Sequence, residues 1–301
     1  MSDEILCVGE ILWDALPDGL FLGGAPFNVA SHLHALGEEV AFVSRVGDDL
    51  LGEEALRRLR ARGLPPEPVQ TDDTLPTGFV RVDLDAPDDP DYEIVAPAAW
   101  DAIAPTDRLE RRAEQAAALV FGSLAQRAAP SRRTIRGLSR TDATGVFDVN
   151  LRPPHDDRDV VERSLRAADV AKLNDAELDR MRAWFDLAGG PEAAMSDLAT
   201  TFDCSAVCVT GGDAGARLWR AGRTWHHPGH PVTVADAVGA GDAFLAAFLS
   251  GLLRGDTGTP LLDRANRLGA YVAGHAGAFP DYAVEDLDDI STLPLSTAPD
   301  A

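Results

Sequence analysis

The chain contains almost no lysine: of its 27 basic residues, only Lys172 is a lysine. Two enzyme classes depend on that side chain, the P-loop nucleotidases with their Gly-x-x-x-x-Gly-Lys segment and the enzymes that form a Schiff base with their substrate. No Gly-x-x-x-x-Gly-Lys segment occurs in the sequence, so a P-loop is excluded. Schiff-base chemistry is excluded unless Lys172 performs it.

Positive charge is scarce overall, because 49 acidic residues give the chain a formal net charge of −22 at pH 7. Nucleic acids and anionic membrane surfaces are bound mainly through lysine and arginine, so we expect neither as a partner. The acid excess has two interpretations, and the sequence leaves both open. One is a genome that encodes arginine in place of lysine, and the other is adaptation to high salt, in which carboxylates keep the surface hydrated.

Cysteines and long apolar runs are also rare. Cys7, Cys204 and Cys208 are odd in number, lack the pairing of a metal site and lie in or beside predicted strands. This pattern is typical of reduced, buried thiols in a cytoplasmic protein. No apolar run is long enough to span a bilayer, and the acidic start of the chain lacks the features of a secretory signal. We therefore expect a cytoplasmic location.

What the sequence does contain is an alternation of apolar strands and amphipathic helices. It begins with a strand over residues 4–8, a helix over 25–36, a strand over 40–46 and a helix over 50–61. This β-α-β-α order predicts an α/β fold with a mostly parallel central sheet and helices on both of its faces. Because no repeat or linker interrupts the 301 residues, we predict a single domain over residues 1–301.

The same alternation continues in the second two thirds of the chain. The pattern predicts helices over residues 106–115, 130–140, 158–167, 175–187 and 260–275, and another that ends near residue 202. It predicts strands over residues 118–121, 145–149, 170–173, 206–209, 216–219 and 223–226. The tail after Leu287 is predicted to be loosely ordered.

A different pattern covers residues 78–84 and 92–95, where apolar and polar side chains alternate around an acidic, proline-containing link. Such alternation predicts an antiparallel pair of strands with one face in water. A small sheet inserted into an α/β chain is suited to act as a lid over a site. A purely structural hairpin would show the same pattern.

The segment from residue 236 to 244 carries the strongest chemical signal. Gly239 and Gly241 precede Asp242, and apolar residues at helical spacing follow, which predicts a glycine turn leading into a helix N-terminus. Unpaired N–H groups and a partial positive charge make such a turn an anion site, and glycine lets a phosphate approach closely. Asp242 would repel that phosphate unless it removes the proton of a hydroxyl that attacks the phosphoryl group. A dinucleotide site is disfavoured, because the third glycine of that fingerprint is missing.

Polar residues also gather after four predicted strands, at the edge where open α/β sheets bind ligands. These residues are Asp14, Asn150, Arg152, Asn174, Glu177, Thr210 and Gly212. Any one of them has a structural alternative, and Asn174 in particular has the features of a helix N-cap. Their repeated position after strands favours the functional interpretation.

Six motifs, in this order along the chain, resemble those of the PfkB (ribokinase-like) carbohydrate kinases. They are Gly9-Glu10-Ile11-Leu12-Trp13-Asp14, Gly23-Gly24-Ala25-Pro26-Phe27-Asn28-Val29-Ala30, Phe147-Asp148-Val149-Asn150-Leu151-Arg152-Pro153, Lys172-Leu173-Asn174-Asp175-Ala176-Glu177-Leu178, Val209-Thr210-Gly211-Gly212 and Asp236-Ala237-Val238-Gly239-Ala240-Gly241-Asp242-Ala243-Phe244. The first and third motifs most resemble the fructokinase branch. The resemblance covers almost the whole chain.

The resemblance implies a role for each matching residue. Asp242 would be the catalytic base, with an anion hole from the backbone of Gly239, Ala240 and Gly241. The sugar would be held by Asp14, Gly23, Gly24, Asn28 and Arg152. ATP would contact Asn174, Thr210, Gly212, Gly239, Gly241 and Asn266. Mg²⁺ bound with ATP would be organised by Asn174 and Glu177 through water, and a K⁺ ion, present in some members, would lie near Asp236.

The resemblance therefore implies an ATP-dependent sugar kinase, with fructose as the expected substrate and fructose 6-phosphate as the product. A kinase for 2-keto-3-deoxygluconate or a nucleoside is the alternative enzyme, and a non-catalytic sugar- or nucleotide-binding protein is the alternative of another class. The family's lid would be formed by about residues 10–22 and 77–100. The resemblance also implies a homodimer that forms through the lid.

A group of histidines lies outside these motifs. His226, His227 and His230 occupy a Pro-Gly loop after a predicted strand, where they could serve as ligands of a transition metal. Histidines in such a loop are more often simply solvated, and the sequence assigns them no role.

Overall fold

The computed structural model describes residues 3–16, 19–83, 91–280 and 295. Its strands are β1 Ile5–Val8, β2 Leu12–Leu16, β3 Gly19–Gly23, β4 Val40–Gly47, β5 Val69–Asp72, β6 Gly78–Asp83, β7 Asp91–Ile94, β8 Ala118–Gly122, β9 Thr144–Asp148, β10 Val170–Asn174, β11 Ala206–Thr210, β12 Ala216–Arg220 and β13 Arg223–His227. The α-helices are α1 Ala25–Ala35, α2 Leu50–Ala61, α3 Asp107–Gln115, α4 Ala129–Leu138, α5 Arg158–Leu165, α6 Asp175–Phe185, α7 Pro191–Phe202, α8 Ala240–Leu253 and α9 Gly258–Ala273.

Within the described part of the chain, nine strands form one large sheet in the order β13-β12-β11-β10-β9-β8-β1-β4-β5. All neighbouring pairs are parallel except β11–β12 and β12–β13, which are antiparallel. The chain builds the sheet outward from β1 in one direction through β4 and β5, then returns to add β8 on the other side of β1. Such a reversal opens a crevice at the carboxyl ends of the central strands.

Helices cover both faces of the large sheet, as the sequence predicts. Side chains of α1, α2, α8 and α9 pack with one face, and side chains of α3 to α7 pack with the other. Successive residues of β1 alternate between the two layers, with Ile5 and Cys7 in one and Leu6 and Val8 in the other, all fully buried. The molecule is therefore a three-layer α/β structure with an apolar core on each side of the sheet.

Local signals explain where several helices begin and end. Asp49 caps α2 by accepting the N–H of Gly52 across 2.8 Å, so this helix has the predicted bounds. Helix α6 stops two residues before the predicted end, because Asp186 adopts the left-handed conformation with φ 54°. Helix α9 runs over Gly258–Ala273, so the predicted bounds of 260–275 were two residues late at each end. Strand β5 was not predicted.

A second, smaller sheet has the strand order β3-β2-β6-β7. Strands β6 and β7 pair antiparallel, which confirms the predicted hairpin, and β2 joins β6 in parallel. Part of the predicted link, residues 84–90, and the tail after Leu287, apart from Leu295, lie outside the described residues. None of the described helices is long and apolar enough to cross a membrane.

Candidate active site

The N-terminus of α8 carries the glycine turn that stands out in the sequence. Gly239 lies at the N-cap in the left-handed region with φ 78°, and Ala240 is the first helical residue. No described side chain caps this helix, so the N–H groups of its first turn have no side-chain acceptor. They form a set of donors with partial positive charge, which suits an anion.

Asp242 lies on this first turn and contacts α1. Nδ2 of Asn28 donates to Oδ2 of Asp242 across 2.8 Å. Asn28 is fixed one turn into α1, because its N–H donates to the Gly24 carbonyl across 2.9 Å. Gly24 has φ 115°, and a Cβ at this position would overlap the Glu10 carbonyl. The glycine therefore permits the close packing that directs Asn28 toward Asp242.

The carboxyl group of Asp242 holds its proton more tightly than an ordinary aspartate. Burial raises its pKa to about 6, and the nearby Asp148 carboxylate adds to the shift. The hydrogen bond from Asn28 opposes this shift, as do the positive charges of Lys172 and Arg152. A carboxylate with a pKa near the working pH is suited to accept a proton during a reaction.

Lys172, the one lysine, lies beside the glycine turn. The parallel register of β9 and β10 sets it opposite Asp148, and its Nζ lies 3.1 and 3.2 Å from the two carboxylate oxygens. The same Nζ lies 3.4 Å from the position that a Cβ would take on Gly241. Burial alone would lower the pKa of Lys172, but the charges of Asp148 and Asp242 outweigh it and raise that pKa. The ammonium group therefore stays charged beside the turn.

Asn174 and Glu177 form a reciprocal cap at the start of α6. Oδ1 of Asn174 accepts the Glu177 N–H, and Oε2 of Glu177 accepts the Asn174 N–H, each across 2.8 Å. The structural alternative for Asn174 is thus realised. Oε1 of Glu177 accepts the N–H of Leu151 across 2.7 Å, which ties α6 to the segment after β9.

The charge balance around Lys172 suits a divalent cation. Its ammonium group interacts with three carboxyl groups, those of Asp148, Asp242 and Glu177. Burial raises the pKa of Glu177, and the Asp148 carboxylate raises it further, so the negative charges are not fully balanced. Oxygen-rich surroundings with excess negative charge are those that Mg²⁺ prefers.

The predicted sugar-binding residues come from the small sheet and the segment after β9. Asp14 lies on β2 beside Gly23 of β3, where a Cβ on Gly23 would lie 2.8 Å from Oδ2 of Asp14. Burial raises the pKa of Asp14 to about 6, and the positive charge of Arg152 opposes the shift. Arg152 is exposed and donates only to the Leu151 carbonyl among the described residues, so its guanidinium can reach a ligand.

Glu10 is a buried carboxyl group that lies in the first of the six PfkB-like motifs but has no predicted role. It follows β1 and is 3% exposed, and its Oε2 has no hydrogen-bond partner among the described residues. Burial raises its pKa to about 7, and the Asp242 carboxylate also raises it. Glu10 lines a small cavity together with Asp148 and Asn150, so it lies among the residues of the candidate site.

Two of the predicted nucleotide-binding residues, Thr210 and Gly212, lie at the end of a strand of the large sheet, and a third, Asn266, lies in a helix. Thr210 ends β11 and Gly212 follows it, exposed and in the left-handed conformation with φ 59°. Asn266 lies in α9, where it is 8% exposed and its Nδ2 donates to the Leu262 carbonyl across 2.7 Å. That bond keeps the donor side of Asn266 within its own helix.

Asp236 joins two loops at the start of α8. Its Oδ1 accepts the Val238 N–H across 2.9 Å, and its Oδ2 accepts the Gly277 N–H across 3.1 Å. The next residue of the second loop, Ala278, packs against Gly239, since a Cβ there would lie 2.6 Å from the Ala278 Cα. The carboxylate thus holds the glycine turn against the loop that follows α9.

Residues 19–282 match the family model described as pfkB family carbohydrate kinase. The chain belongs to the PfkB family. A PfkB relative, the fructokinase of Klebsiella pneumoniae, is 33% identical over 267 residues, which cover 84% of this chain and 85% of the relative. The 2-dehydro-3-deoxygalactonokinase of Haloferax volcanii is 32% identical, with 77% of this chain and 76% of the relative covered.

A solved PfkB-like structure extends the likeness to three dimensions. A sugar kinase of Pyrococcus horikoshii in complex with ATP has a TM-score of 0.75 and 27% identity to this chain, over 91% of this chain and 93% of the other. The resemblance to the PfkB family and its fructokinase branch, and the ribokinase-like fold that it implies, are therefore confirmed.

The ion pair between Lys172 and Asp148 is the feature that sequence reasoning missed. Both residues lie in PfkB-like motifs, 24 positions apart, but the sequence predicts a role for neither. The available signal was their place near the ends of two consecutive predicted strands, because parallel neighbours bring such positions opposite each other.

Proposed function

We propose that this protein is an ATP-dependent sugar kinase that phosphorylates a primary hydroxyl, most specifically the 6-hydroxyl of fructose. The observation that carries the proposal is Asp242, which stands at the uncapped N-terminus of α8, bonded to Asn28 and with a raised pKa. Membership of a carbohydrate kinase family and the fructokinase relative support it. The ATP-bound structure of a related sugar kinase supports ATP as the donor.

In the proposed reaction, the hydroxyl oxygen forms a bond to the γ-phosphorus of ATP. The bond from that phosphorus to the β–γ bridging oxygen breaks, and ADP leaves with the electron pair. The hydroxyl proton passes to the Asp242 carboxylate. The hydrogen bond from Asn28 supports this role, because it orients one oxygen of Asp242 and leaves the other to face the sugar.

The charge that moves during transfer would be stabilised at the turn before α8. The proposed donors are the N–H groups of Gly239, Ala240 and Gly241, which share the uncapped helix start. We assign Lys172 to the same task, since its ammonium group lies beside Gly241 and stays charged. Fixed donors of this kind need no reorganisation during the reaction.

On the sugar side we propose Asp14 and Asn28 as the hydroxyl ligands, with Gly23 and Gly24 allowing close approach. A carboxylate and a carboxamide fix two hydroxyls with defined polarity. The half-buried position of Asp14 on β2 supports this role. Arg152 would contact the sugar or a phosphate through its exposed guanidinium.

On the nucleotide side we propose Thr210, Gly212 and Asn266 together with Asn174. Mg²⁺ bound with ATP would be held through water by Asn174 and Glu177, with Asp148 nearby, and it would neutralise phosphate charge. The three carboxyl groups around one lysine support a cation there. An additional K⁺ ion would lie at the loops that Asp236 joins.

We further propose that residues 1–301 act as one kinase domain in the cytoplasm, with the small sheet as its lid. Closure of such a lid would exclude water that otherwise accepts the phosphoryl group. The three buried, free thiols support a reducing compartment.

A homodimer through the small sheet is also proposed. Strand β3 is an edge strand, and its Leu20 and Phe21 are 44% and 43% exposed. Sedimentation velocity tests this: the wild type should sediment as a dimer and Leu20→Asp/Phe21→Asp as a monomer. A wild type that sediments as a monomer would contradict the proposed homodimer.

A kinase for 2-keto-3-deoxygluconate is the second candidate. The exposed guanidinium of Arg152 favours it, because an arginine can pair with the carboxylate of an acidic sugar. The 2-dehydro-3-deoxygalactonokinase relative also favours this class. A non-catalytic binding protein has no use for a base at Asp242.

A substrate panel tests the proposal. Purified protein with Mg·ATP is given fructose, 2-keto-3-deoxygluconate, ribose or a nucleoside, and ADP release and the position of the new phosphate are measured. We expect the highest kcat/KM with fructose and phosphate at its 6-position. Preference for the acidic sugar would select the second candidate, and absence of turnover on every substrate would favour the binding protein.

A further inference from the structure

Two histidines and an aspartate converge at the edge of the large sheet, outside the proposed kinase site. His227 ends β13, His230 follows in the next loop, and Asp263 lies on α9. Nε2 of His227 lies 3.1 Å from Oδ1 of Asp263, and Nε2 of His230 lies 3.0 Å from the same oxygen. Both imidazoles are only 13% exposed, whereas Asp263 is 38% exposed. Three possible ligand atoms from three segments thus lie within 4.8 Å of one another.

We propose that His227, His230 and Asp263 bind a first-row transition-metal dication, with Zn²⁺ as the best match. Two imidazole nitrogens and one carboxylate oxygen are a ligand set that zinc favours, and Mg²⁺ prefers oxygen alone. Two ligands that each lie about 2.0–2.1 Å from a tetrahedral ion lie about 3.3–3.4 Å from each other. The separations of 3.1 and 3.0 Å to Asp263 are close to that spacing, so small side-chain movements would admit the ion.

An unpartnered nitrogen supports the site independently of its spacing. Nε2 of His230 is buried and makes no hydrogen bond among the described residues, because its contact with Asp263 lacks the direction of a hydrogen bond. A buried ring nitrogen without a partner costs free energy. A bound cation would give this nitrogen the partner that it lacks.

Metal binding would change the hydrogen bonding of the loop. Nδ1 of His227 accepts the Gly229 N–H across 3.1 Å, so in the metal-free protein the ring proton is on Nε2. A cation on Nε2 moves that proton to Nδ1 and ends the bond from Gly229. This stretch of chain then loses one backbone hydrogen bond and gains two metal bonds, from His227 and His230, while the third metal bond comes from Asp263 on α9.

The site would tie the connection between β13 and α8 to α9. Residues 228–239 form this connection, which ends at Gly239 of the glycine turn. A metal ion shared by His227, His230 and Asp263 would therefore hold the connection that leads to Gly239 against α9, the helix that carries Asn266. Binding itself does not depend on the kinase proposal, because none of the three ligands belongs to the proposed active site.

Calorimetric titration of Zn²⁺ into tag-free, chelator-treated protein tests the inference. Excess Mg²⁺ is included to occupy the carboxyl groups around Lys172. We expect one saturable Zn²⁺ per chain, and a rise in melting temperature of about 4 °C when free Zn²⁺ is about 100 times its dissociation constant. Substitution by Co²⁺ should give the visible absorption of a coordinated ion.

Matched histidine variants decide whether the three residues are the ligands. His230→Gln should lose saturable binding and the metal-dependent rise in melting temperature, with little change in the metal-free melting temperature. His226→Gln is the control, because His226 directly precedes the proposed ligand His227 in the chain but lies outside the cluster. Saturable binding that survives in His230→Gln and in Asp263→Asn, or none in the wild type, would overturn the proposal.

Discussion

At the scale of single residues, the candidate site is rich in buried and half-buried carboxyl groups whose pKa values are raised toward neutral pH. Burial raises the pKa of Glu10 to about 7 and the pKa of Asp14 and Asp242 to about 6. The positive charge of Arg152 opposes all three shifts. The charge of the site therefore depends on pH and on any charged ligand that binds near Arg152.

The effect of a raised pKa on stability can be measured at Glu10. Its pKa is higher in the folded protein than in the unfolded chain, so its contribution to stability is fully present below about pH 4 and is lost as pH rises through about 7. Glu10→Gln removes that loss. We expect the free energy of unfolding of this variant, relative to that of the wild type, to be about 2 kcal/mol larger at pH 8 than at pH 5.

Urea unfolding at the two pH values provides the measurement. Glu192→Gln is the control, because Glu192 is an exposed residue of α7. An equal effect of Glu10→Gln at both pH values would show that Glu10 is not protonated near neutrality.

The pair of Lys172 and Asp148 gives a second prediction. Lys172→Met leaves three buried carboxyl groups without their shared cation, so we expect a loss of about 3–5 kcal/mol in unfolding free energy. Asp148→Asn in the same chain removes one of the unpaired charges, and the double variant should recover part of the loss. A double variant that is less stable than Lys172→Met would contradict the proposed charge balance.

At the scale of elements, the glycine turn depends on the loop that follows α9. Ala278 packs against Gly239, and Nε2 of the buried His32 lies 3.0 Å from the Ala278 carbonyl. Asp236 holds the neighbouring Gly277. The shape of the glycine turn is therefore set by contacts from α1 and from the loops on either side.

Gly239→Ala tests this dependence. A Cβ at Gly239 would meet the Ala278 backbone at 2.6 Å, so the turn must move and we expect kcat to fall at least tenfold. Gly255→Ala is the matched control, since Gly255 also has a positive φ, of 91°, but no neighbour within 4 Å of the added Cβ. Both variants share the backbone strain. Equal kcat values in steady-state assays would show that the contact with Ala278 does not shape the site.

The sequence predicts regular elements well where a local signal is strong. Helix α2 has the predicted bounds because the Asp49 cap and its apolar stripe agree. Strand β5, Val69–Asp72, lacks a comparable signal, since its four residues follow no clear alternation and belong to the edge of the sheet. The sequence also predicted the hairpin of β6 and β7, but not that β2 pairs with β6 in parallel.

At the scale of the whole molecule, the site consists of residues that only the fold brings together. Asn28 and Asp242 are 214 positions apart, yet they share a hydrogen bond. Motif resemblance named both residues, but their contact depends on the packing of α1 against α8. The raised pKa of Asp242 could not be predicted either, because it follows from burial and from Asp148.

The net charge of −22 gives a prediction for the whole molecule. Like charges on the surface repel one another in the folded state, and salt screens them, with a Debye length of about 10 Å at 0.1 M and about 3 Å at 1 M. We expect the melting temperature to rise by about 3 °C between low salt and molar salt, which corresponds to about 2 kcal/mol for a chain of this size.

Parallel melting curves in KCl and NaCl separate screening from specific binding. Equal curves at equal ionic strength indicate screening alone, and an extra rise in KCl supports a K⁺ ion near Asp236. A melting temperature that does not change with salt would contradict the importance of self-repulsion.

The central claim is that Asp242 accepts the proton of the sugar hydroxyl, and Asp242→Asn tests it most directly. The variant keeps the size of the side chain and removes its basicity, so the measurement is kcat for sugar phosphorylation beside the dissociation constant for Mg·ATP. We predict that kcat falls by about 10²–10⁴-fold while ATP affinity changes little. A kcat within about twofold of the wild type would contradict the account.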